Sequence, residues 1–362
     1  MISISKPYID KSDLKYVRLA SENGWGSKKD FYIKKFEEKF KKKIKSKYAV
    51  ATSSCTGALT LALSALNLKP NSEVILADIN WIASVSAINS ANLKPVFVDI
   101  EKDNWCICPK SLKKAINKKT GAVIITHLYG NAANLNEILS ICNKNKIYII
   151  EDAAEALGSM FKNKQLGTFG HIGCFSFHGS KTITTGEGGM VVTNLKKIYE
   201  KIVNLNSHGV KTNKQFYIEN LGFKFKMTNL QAALGISQLN KLEKIVKKKR
   251  KIFKTYKKYI NSKYFDMNKE EEKVYNSYWM PTIICKLKKF NRKKFQEYLL
   301  KNKIDTRVFF YPISSFKMYK KTRNENSYAL YKNGVNLPSY YELELEDVKR
   351  ISITVNNFFK VK

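Results

Sequence analysis

The sequence has 362 residues, 44% of them hydrophobic, a length that fits one large domain with a smaller one. No stretch approaches the ~20 uninterrupted apolar residues of a membrane span, and the segment 1–6 lacks the apolar core of a signal peptide. The six cysteines form no disulfide framework, and Cys106 and Cys108 have no second pair with which to bind a metal. We therefore predict a soluble, cytoplasmic protein with reduced thiols, no metal site and no membrane partner.

The formal net charge of +35, from 65 lysines and arginines, invites a nucleic-acid interpretation, because a basic surface attracts phosphate backbones. The basic residues are, however, spread along the whole chain. In the densest run, 241–258, apolar residues recur on one helical face and lysines fill the rest, which is typical of a solvated amphipathic helix. That face comprises Leu239, Leu242, Ile245, Val246, Phe253 and Tyr256. We predict no nucleic-acid partner, while a positive field would steer phosphorylated substrates to an enzyme.

Short apolar runs alternate with helical patterns through about residue 250. Strands are predicted at 74–77, 96–99, 123–126, 147–151, 174–177 and 190–193, and helices at 56–67, 82–92, 111–117 and 135–145. This alternation predicts a mainly parallel sheet covered on both faces. A long helix over about 228–260 then leads to a strand at 280–284 and a helix at 292–301. We predict a large α/β domain over 1–245, with an N-terminal arm over about 1–35, and a smaller α+β domain over 246–362.

The first candidate site is a helix start at 53–59. Small residues at this position, here Ser54, Cys55 and Thr56, leave backbone N–H groups free at the positive end of the helix dipole, and the two together bind phosphate. Ordinary N-capping explains the same pattern.

Two strand ends carry residues suited to a flat heteroaromatic ring. The strand at 147–151 runs into Asp152, at the carboxyl edge where open α/β sheets bind ligands. Asp152 would pair with a protonated ring nitrogen, as an aspartate holds a pyridinium in its electron-accepting form, or would cap a helix. Trp81 follows the strand at 74–77, and its ring either fills the core or stacks on such a ligand.

The fourth cluster places Lys181 just past a strand, between hydroxyl-bearing residues and the glycine-rich turn 186–189. Most lysines in so basic a chain face solvent. This setting is instead typical of an amine held on a rigid turn, as Schiff-base catalysis requires. The glycines permit positive φ and close backbone approach.

With these clusters in order, the sequence resembles the DegT/DnrJ/EryC1/StrS sugar aminotransferases, which have the aspartate-aminotransferase fold (fold type I). The resemblance covers nearly the whole chain and is most specific in the stretch 175–189, which reads FSFHGSKTITTGEGG. It implies pyridoxal 5′-phosphate (PLP) as cofactor and a homodimer with shared active sites. It also implies an α/β large domain with a mainly parallel seven-stranded sheet and a smaller α+β C-terminal domain.

The resemblance also implies roles for particular residues. Lys181 would be the Schiff-base lysine that also moves a proton, and Asp152 would hold the pyridinium nitrogen protonated. Trp81 would stack on the ring, and Glu155 would lie near the ring hydroxyl. The phosphate would be held by Cys55, Thr56 and Ser176. Substrate-side positions would be His178, Glu187, Arg307, Phe310 and Tyr311.

One departure from the family pattern lies before the long helix. Family members usually read Gly-Tyr-Asn-Tyr-Arg there, and the asparagine reaches the cofactor phosphate of the partner subunit. This chain reads Gly-Phe-Lys-Phe-Lys over 222–226. Lys224 would therefore contact that phosphate as a charge rather than as an amide.

Within the family, the segments 81–88, 127–130 and 306–312 most resemble enzymes of the perosamine-synthase type. The resemblance implies amination of GDP-4-keto-6-deoxymannose at C-4 by L-glutamate, giving GDP-perosamine for glycan or surface-polysaccharide synthesis. UDP- or dTDP-4-keto-6-deoxyglucose 4-aminotransferases share much of this pattern, and a 3-keto sugar is a further alternative. Basic side chains around Arg307, and in the segment 224–226 contributed by the partner subunit, would help to bind the nucleotide diphosphate.

Two other classes of protein remain as alternatives. In PLP-dependent sugar dehydratases of this family a histidine replaces the lysine, whereas Lys181 is present here. A non-catalytic sensor or binder on the same fold would not need every catalytic position filled, as it is here. Visible absorbance that bleaches with borohydride distinguishes a Schiff base from a mere binder.

Overall fold

The computed structural model describes residues 1–210, 214 and 217–359, so 360–362, the end of the predicted second domain, lie outside it. The α-helices are α1 (Lys11–Asn23), α2 (Phe31–Ile44), α3 (Cys55–Ala65), α4 (Ala83–Ser90), α5 (Pro109–Ala115), α6 (Leu135–Lys144), α7 (Lys196–Leu205), α8 (Asn229–Asn240), α9 (Leu242–Tyr259), α10 (Arg292–Lys301), α11 (Glu325–Leu330) and α12 (Leu345–Asn357). The strands are β1 (Tyr48–Thr52), β2 (Glu73–Ala77), β3 (Lys94–Val98), β4 (Thr120–Thr126), β5 (Tyr148–Asp152), β6 (Met160–Phe161), β7 (Lys164–Gln165), β8 (Ile172–Ser176), β9 (Gly189–Thr193), β10 (Phe265–Met267), β11 (Val274–Tyr275), β12 (Thr282–Cys285), β13 (Arg307–Val308) and β14 (Gly334–Asn336).

In the described part of the chain, the main sheet has seven strands in the order β1-β9-β8-β5-β4-β2-β3. Strands β8, β5, β4, β2 and β3 pair in parallel, and β9 is antiparallel to both of its neighbours. The predicted mainly parallel seven-stranded sheet is therefore confirmed. Its parallel strands end at one edge, which receives the segments following β2, β4, β5 and β8.

The strands of this sheet alternate their apolar side chains between two cores, as a sheet covered on both faces requires. Ile149 packs into a core with α2, α6 and α8, whereas the next residue, Ile150, packs with α3, α4 and α7. Ile75 and Leu76 on β2 divide in the same way. The strands of this sheet are almost entirely apolar because side chains on both of its faces are buried.

A third core lies in the C-terminal part of the chain. A four-stranded antiparallel sheet of order β10-β12-β14-β13 packs against α9, α10 and α12, with Tyr256, Phe295 and Val348 fully buried between them. Helix α9 joins the regions, since Ile245 belongs to the first core and Ile252 to the third. The boundary predicted at 245/246 falls inside this helix and stays a prediction.

The single long helix predicted over about 228–260 is two helices. At Lys241 the backbone has φ −98° and ψ −4°, and its N–H bonds to Gln238 O, three residues back rather than four. The Lys241 amine is held by the carboxylates of Asp13 and of Asp10, the latter at 2.8 Å. The tightened turn lets α8 pack on α1 and α2 while α9 continues toward the third core.

The amphipathic interpretation of 241–258 needs one correction. Its six predicted face residues are all buried, but Lys249 is also buried, with 4% of its surface exposed. Position 249 lies four residues after Ile245 and three before Ile252, on the same helical face. A lysine on the apolar face of a helix indicates a buried amine, but among so many exposed lysines this position did not stand out in the sequence.

No helix within the described ranges is long and apolar enough to cross a membrane. All six cysteines are free thiols. Among the residues that the structure describes, no group of three or more His, Cys, Asp or Glu side chains could hold a metal ion.

Candidate active site

The predicted residues meet at the carboxyl edge of the main sheet. Asp152 and Ser176 are the last residues of the neighbouring strands β5 and β8, and Trp81 follows β2. Lys181 lies in the turn after β8, and helix α3 begins beside β9 at the same edge. Parallel strands therefore bring together Trp81 and Lys181, which are 100 positions apart in sequence.

Asp152 is a buried carboxyl, 5% exposed. Its Oδ2 accepts a hydrogen bond from Ser84 Oγ at 3.1 Å, and its Oδ1 accepts from the Ala154 N–H at 3.1 Å. Burial raises the pKa of Asp152 above its usual value, against the opposing effects of the Ala154 bond and the charge of Lys181. Neither hydrogen-bond donor is a cation, so a positively charged ligand group beside Asp152 would favour its ionised form.

Lys181 points into the same space. Its Nζ lies 3.5 Å from Glu155 Oε1 and 3.9 Å from the centre of the Trp279 ring. Glu155 is fixed on its other side, where Oε2 accepts a hydrogen bond from the Tyr129 N–H at 2.8 Å. Burial raises the pKa of Glu155, and the nearby Lys181 charge opposes that rise. The amine thus lies beside the buried Glu155 carboxyl and over an indole face, and its charge also acts on Asp152.

The start of α3 has the geometry of an anion site. Ser54 caps the helix by accepting the Gly57 N–H at 3.0 Å, which leaves the N–H groups of Cys55 and Thr56 without an intrahelical acceptor. Gly189 lets β9 approach this turn, since a Cβ there would lie 2.6 Å from the Ser54 carbonyl. Ser176, at the end of β8, is also buried at this edge.

An aromatic row borders the site from Lys181 to Trp81. Trp279 stacks on Tyr129 with ring centres 6.1 Å apart, and Tyr129 stacks on Phe310 at 5.5 Å. Phe310 in turn lies 5.9 Å from the ring of Trp81. The outer end of the row is open, because Trp81 is 60% exposed, leaving its face free for a flat ligand.

Trp279 and Tyr129 were missed by the sequence interpretation. Trp279 lies beyond α9, in a stretch without a motif, and only the tertiary fold brings it to Lys181. Tyr129 adopts φ +53°, in the left-handed region, and this unusual backbone directs its N–H at Glu155. A sequence cannot show which tyrosine adopts such a backbone, although 127–130 contributed to the resemblance.

A carboxylate at another strand end positions Phe310. Asp78, which follows β2, accepts hydrogen bonds from the Ser314 N–H at 2.8 Å and from Asn324 Nδ2 at 2.9 Å. Thr322 Oγ1 donates to the same carboxylate at 3.1 Å. These bonds tie the segment after β13 to the large sheet and so keep Phe310 beside Tyr129.

The remaining substrate-side candidates lie at the rim. His178 Nε2 is 3.6 Å from Glu187 Oε1, and both side chains are largely exposed. Arg307 is exposed on β13, with Nη2 3.5 Å from Ser5 Oγ, and Ser5 lines a small cavity together with Lys181. Tyr311 instead turns toward Arg292, whose Nη2 donates to its hydroxyl at 3.2 Å.

Lys224 lies in a loop that covers the start of α3. The Ser53 N–H donates to Phe225 O at 2.6 Å, and the Phe225 ring fills the space where a Cβ on Gly57 would be. Phe223 stacks on Phe225 with ring centres 5.2 Å apart, whereas Lys224 between them is exposed. The loop therefore directs Lys224 away from its own core.

The donor set of this site matches the groups of PLP. The free N–H groups at the start of α3 suit a phosphate, the exposed face of Trp81 suits a ring, and Asp152 lacks a cationic hydrogen-bond partner that a pyridinium nitrogen would supply. Lys181 provides an amine between them. The sheet order and these groups at its carboxyl edge together place the chain in the class of PLP-dependent enzymes of fold type I.

The comparisons with known proteins agree with this class. The model of the DegT/DnrJ/EryC1/StrS aminotransferase family matches residues 7–356. The GDP-perosamine synthase of Escherichia coli O157:H7 is 37% identical over 363 residues, covering 100% of this chain and 99% of that protein. The chain therefore belongs to the DegT/DnrJ/EryC1/StrS family and is a PLP-dependent aminotransferase, which confirms the family, enzyme class and cofactor predicted from the sequence.

Two solved structures have the same fold over essentially the whole chain. Helicobacter pylori PseC, an aminotransferase involved in the biosynthesis of pseudoaminic acid, matches with a TM-score of 0.93 at 28% identity, covering 100% of both chains. A GDP-4-keto-6-deoxymannose-3-dehydratase with bound GDP-perosamine matches with a TM-score of 0.90 at 27% identity, covering 98% of this chain and 100% of that one.

Proposed function

We propose that this enzyme transfers the amino group of L-glutamate to C-4 of GDP-4-keto-6-deoxymannose. The amino group replaces the keto oxygen of the sugar, and the products are GDP-perosamine and 2-oxoglutarate. The observation that carries this proposal is the full-length similarity to a GDP-perosamine synthase, in a chain that retains Lys181, with its amine 3.5 Å from Glu155, and Asp152 at the end of β5. The product would serve glycan or surface-polysaccharide synthesis.

The residues around the site would hold PLP as follows. The N–H groups of Cys55 and Thr56, with Ser176, would bind its phosphate, and Trp81 would stack on its ring. Asp152 would accept a hydrogen bond from the protonated ring nitrogen, and Glu155 would lie near the ring hydroxyl. Bound PLP supplies an electron sink for the carbon that gains or loses the amino group.

The proton transfers fall to Lys181. Its Nζ would take a proton from the carbon of glutamate that bears the amino group and would deliver a proton to C-4 of the sugar. Glu155, 3.5 Å away, orients this amine, because the carboxyl is itself fixed by the Tyr129 N–H. The Asp152 carboxylate would keep the ring nitrogen of bound PLP protonated, which is the condition for electron withdrawal.

The rim would bind the nucleotide-linked sugar. Arg307 would pair with the diphosphate, and Phe310 and Tyr311 would offer aromatic surface to the sugar or base. His178 and Glu187, at the mouth of the turn that carries Lys181, would donate to and accept from sugar hydroxyls. UDP- and dTDP-linked 4-keto-6-deoxyglucose are the alternative substrates, and they differ from the GDP-linked sugar in the base that the rim would bind.

We further propose a homodimer in which each subunit supplies Lys224 to its partner's cofactor phosphate. Three large apolar side chains support this arrangement, because Trp25, Phe31 and Leu221 are 64%, 50% and 94% exposed. An ion pair of 2.7 Å between Lys226 and Asp30 joins the two segments that carry them. Exposed apolar side chains that form a contiguous patch mark protein interfaces, and this ion pair brings the two segments together.

The test of the reaction is product analysis by mass spectrometry. Purified enzyme is incubated with isotope-labelled glutamate and, separately, with the GDP-, UDP- and dTDP-linked 4-keto-6-deoxy sugars and a 3-keto sugar nucleotide. We expect labelled nitrogen in the GDP-linked 4-amino sugar. Amination of another member alone would identify that alternative substrate. Loss of a sugar hydroxyl without incorporated nitrogen would indicate a dehydratase, and a colourless protein without any product would indicate a binder.

Replacing Lys224 by alanine should weaken PLP retention roughly tenfold, the scale of one charge-assisted hydrogen bond. Loss of visible absorbance during dialysis measures it. The matched control replaces the outward-facing Lys247, Lys251 and Lys254 of α9 by glutamine. It should keep its colour and change at most the salt dependence of substrate capture, because surface charges are screened within about 10 Å at ~0.1 M salt. Equal retention in all variants would contradict the Lys224 contact.

A further inference from the structure

Lys249 has a buried amine, and among the described residues none of its hydrogen-bond acceptors is a carboxylate. Its Nζ donates to Trp279 O at 3.1 Å, to Ser339 O at 2.9 Å and to Ser339 Oγ at 3.2 Å. Burial lowers the pKa of Lys249 to about 7, because an ammonium loses its hydration in the interior. An unpaired buried amine is costly, and the three hydrogen bonds hold Lys249 against both the Trp279 carbonyl and Ser339.

Trp279 is held at its ring as well as at its backbone. Its Nε1 donates to Ser180 O at 2.7 Å, and Ser180 directly precedes Lys181. The Lys249 bond fixes the carbonyl end of the same residue. With both ends fixed, the indole face lies under the Lys181 amine, 3.9 Å from Nζ.

Several other titratable groups surround the Lys181 amine. The carboxyl of Glu155 lies 3.5 Å from Nζ, and the charges of Lys181 and Asp152 influence each other. The thiol of Cys55 is also close enough to feel the charge of Lys181. Lys181 lines a small cavity whose other titratable residues are Lys6, Lys249, Tyr8, Tyr340 and Tyr341. The Glu155 carboxyl attracts the amine, and the Trp279 indole supplies an apolar face against which it rests.

We propose that Trp279 is a positioning residue that holds the Lys181 amine whenever it is not bonded to the cofactor, and that Lys249 fixes Trp279 in that place. An ammonium over an indole face is stabilised by the negative potential of the ring. The ring therefore attracts the ammonium group and keeps its Nζ beside Glu155. This inference rests on the role proposed for Lys181.

The test measures the proton affinity of the free amine in the holoenzyme. Excess glutamate without keto sugar leaves Lys181 unbonded, and its rate of acetylation by acetic anhydride is then followed against pH by peptide mass spectrometry. Only the neutral amine reacts, so the midpoint of the profile reports its pKa. Exposed lysines of the same chain, such as Lys247, are internal standards.

Trp279→Leu should move this midpoint to lower pH by up to about one unit, the scale of a cation–π interaction in a partly desolvated site. Trp279→Phe retains a ring face and should restore most of the wild-type midpoint. Lys249→Met should move the midpoint in the same direction as Trp279→Leu while remaining folded, because it replaces a buried amine by an apolar chain of similar length.

The matched control is Trp105→Leu. Trp105 is also buried and packs edge-on against Tyr129, with ring centres 6.3 Å apart, so its loss perturbs the same core while leaving the face under Lys181. Its profile should match the wild type. An unshifted midpoint in both Trp279→Leu and Lys249→Met, or an equal shift in Trp105→Leu, would overturn the proposal.

The same experiment separates this inference from the assignment of Lys181. Without glutamate, wild-type Lys181 should be protected from acetylation by its bond to the cofactor. If it is not protected, the assignment of Lys181 is wrong and the role of Trp279 falls with it. Protection together with unshifted midpoints overturns the role of Trp279 alone.

Discussion

Lys181→Ala should yield a folded protein with turnover reduced by more than about 10⁴-fold, because both the covalent attachment and the proton transfer are lost. Two other described amines line the small cavity beside Lys181, and both are engaged: Lys249 donates to Trp279 O and Ser339 O, and Lys6 pairs with Glu342. Steady-state formation of 2-oxoglutarate from glutamate and keto sugar measures the loss.

The matched control for this variant is Lys197→Ala, which removes an exposed lysine of α7 and should leave turnover unchanged. Borohydride treatment followed by peptide mass spectrometry should attach the cofactor to Lys181 in the wild type and in the control, and to no residue in Lys181→Ala. Wild-type turnover by Lys181→Ala, or attachment at a different lysine, would show that another residue carries the chemistry.

The sheet edge of this site could be predicted from the sequence because its signals are local. Asp152 directly ends an apolar strand, and Trp81 lies a few residues after another. Strands and helices alternate in this part of the chain. Parallel strands in one sheet share their carboxyl edge, so local patterns translate directly into proximity. Lys181 could be added because the glycine-rich turn after its strand is distinctive.

The contacts made by the C-terminal part of the chain could not be predicted in this way. Trp279 reaches Lys181 only after α9 has crossed from the first core to the third, a path that periodicity does not encode. Lys249 was hidden by composition, because one buried lysine looks like its many exposed neighbours. The left-handed backbone of Tyr129 depends on tertiary contacts rather than on a local preference of tyrosine.

The charge of Asp152 should matter more than its hydrogen bonds. Asp152→Asn keeps an oxygen that can accept the Ala154 N–H and an amide that can donate to Ser84 Oγ, so the fold and the phosphate contacts should persist. A neutral amide, however, cannot hold a proton on the ring nitrogen, and the electron sink is lost. We expect turnover to fall roughly 10³-fold, equivalent to about 4 kcal/mol of transition-state stabilisation.

Ser84→Ala is the matched control, because it removes the 3.1 Å hydrogen bond to Asp152 Oδ2 and leaves the charge. Its turnover should fall by roughly tenfold at most, the scale of one hydrogen bond to a charged group. Both variants should bind PLP, as judged by absorbance after dialysis, so a difference between them reports the charge alone. Near-wild-type turnover in Asp152→Asn would reduce Asp152 to a cap for the turn at Ala154, and equal losses in both variants would assign the effect to geometry instead of charge.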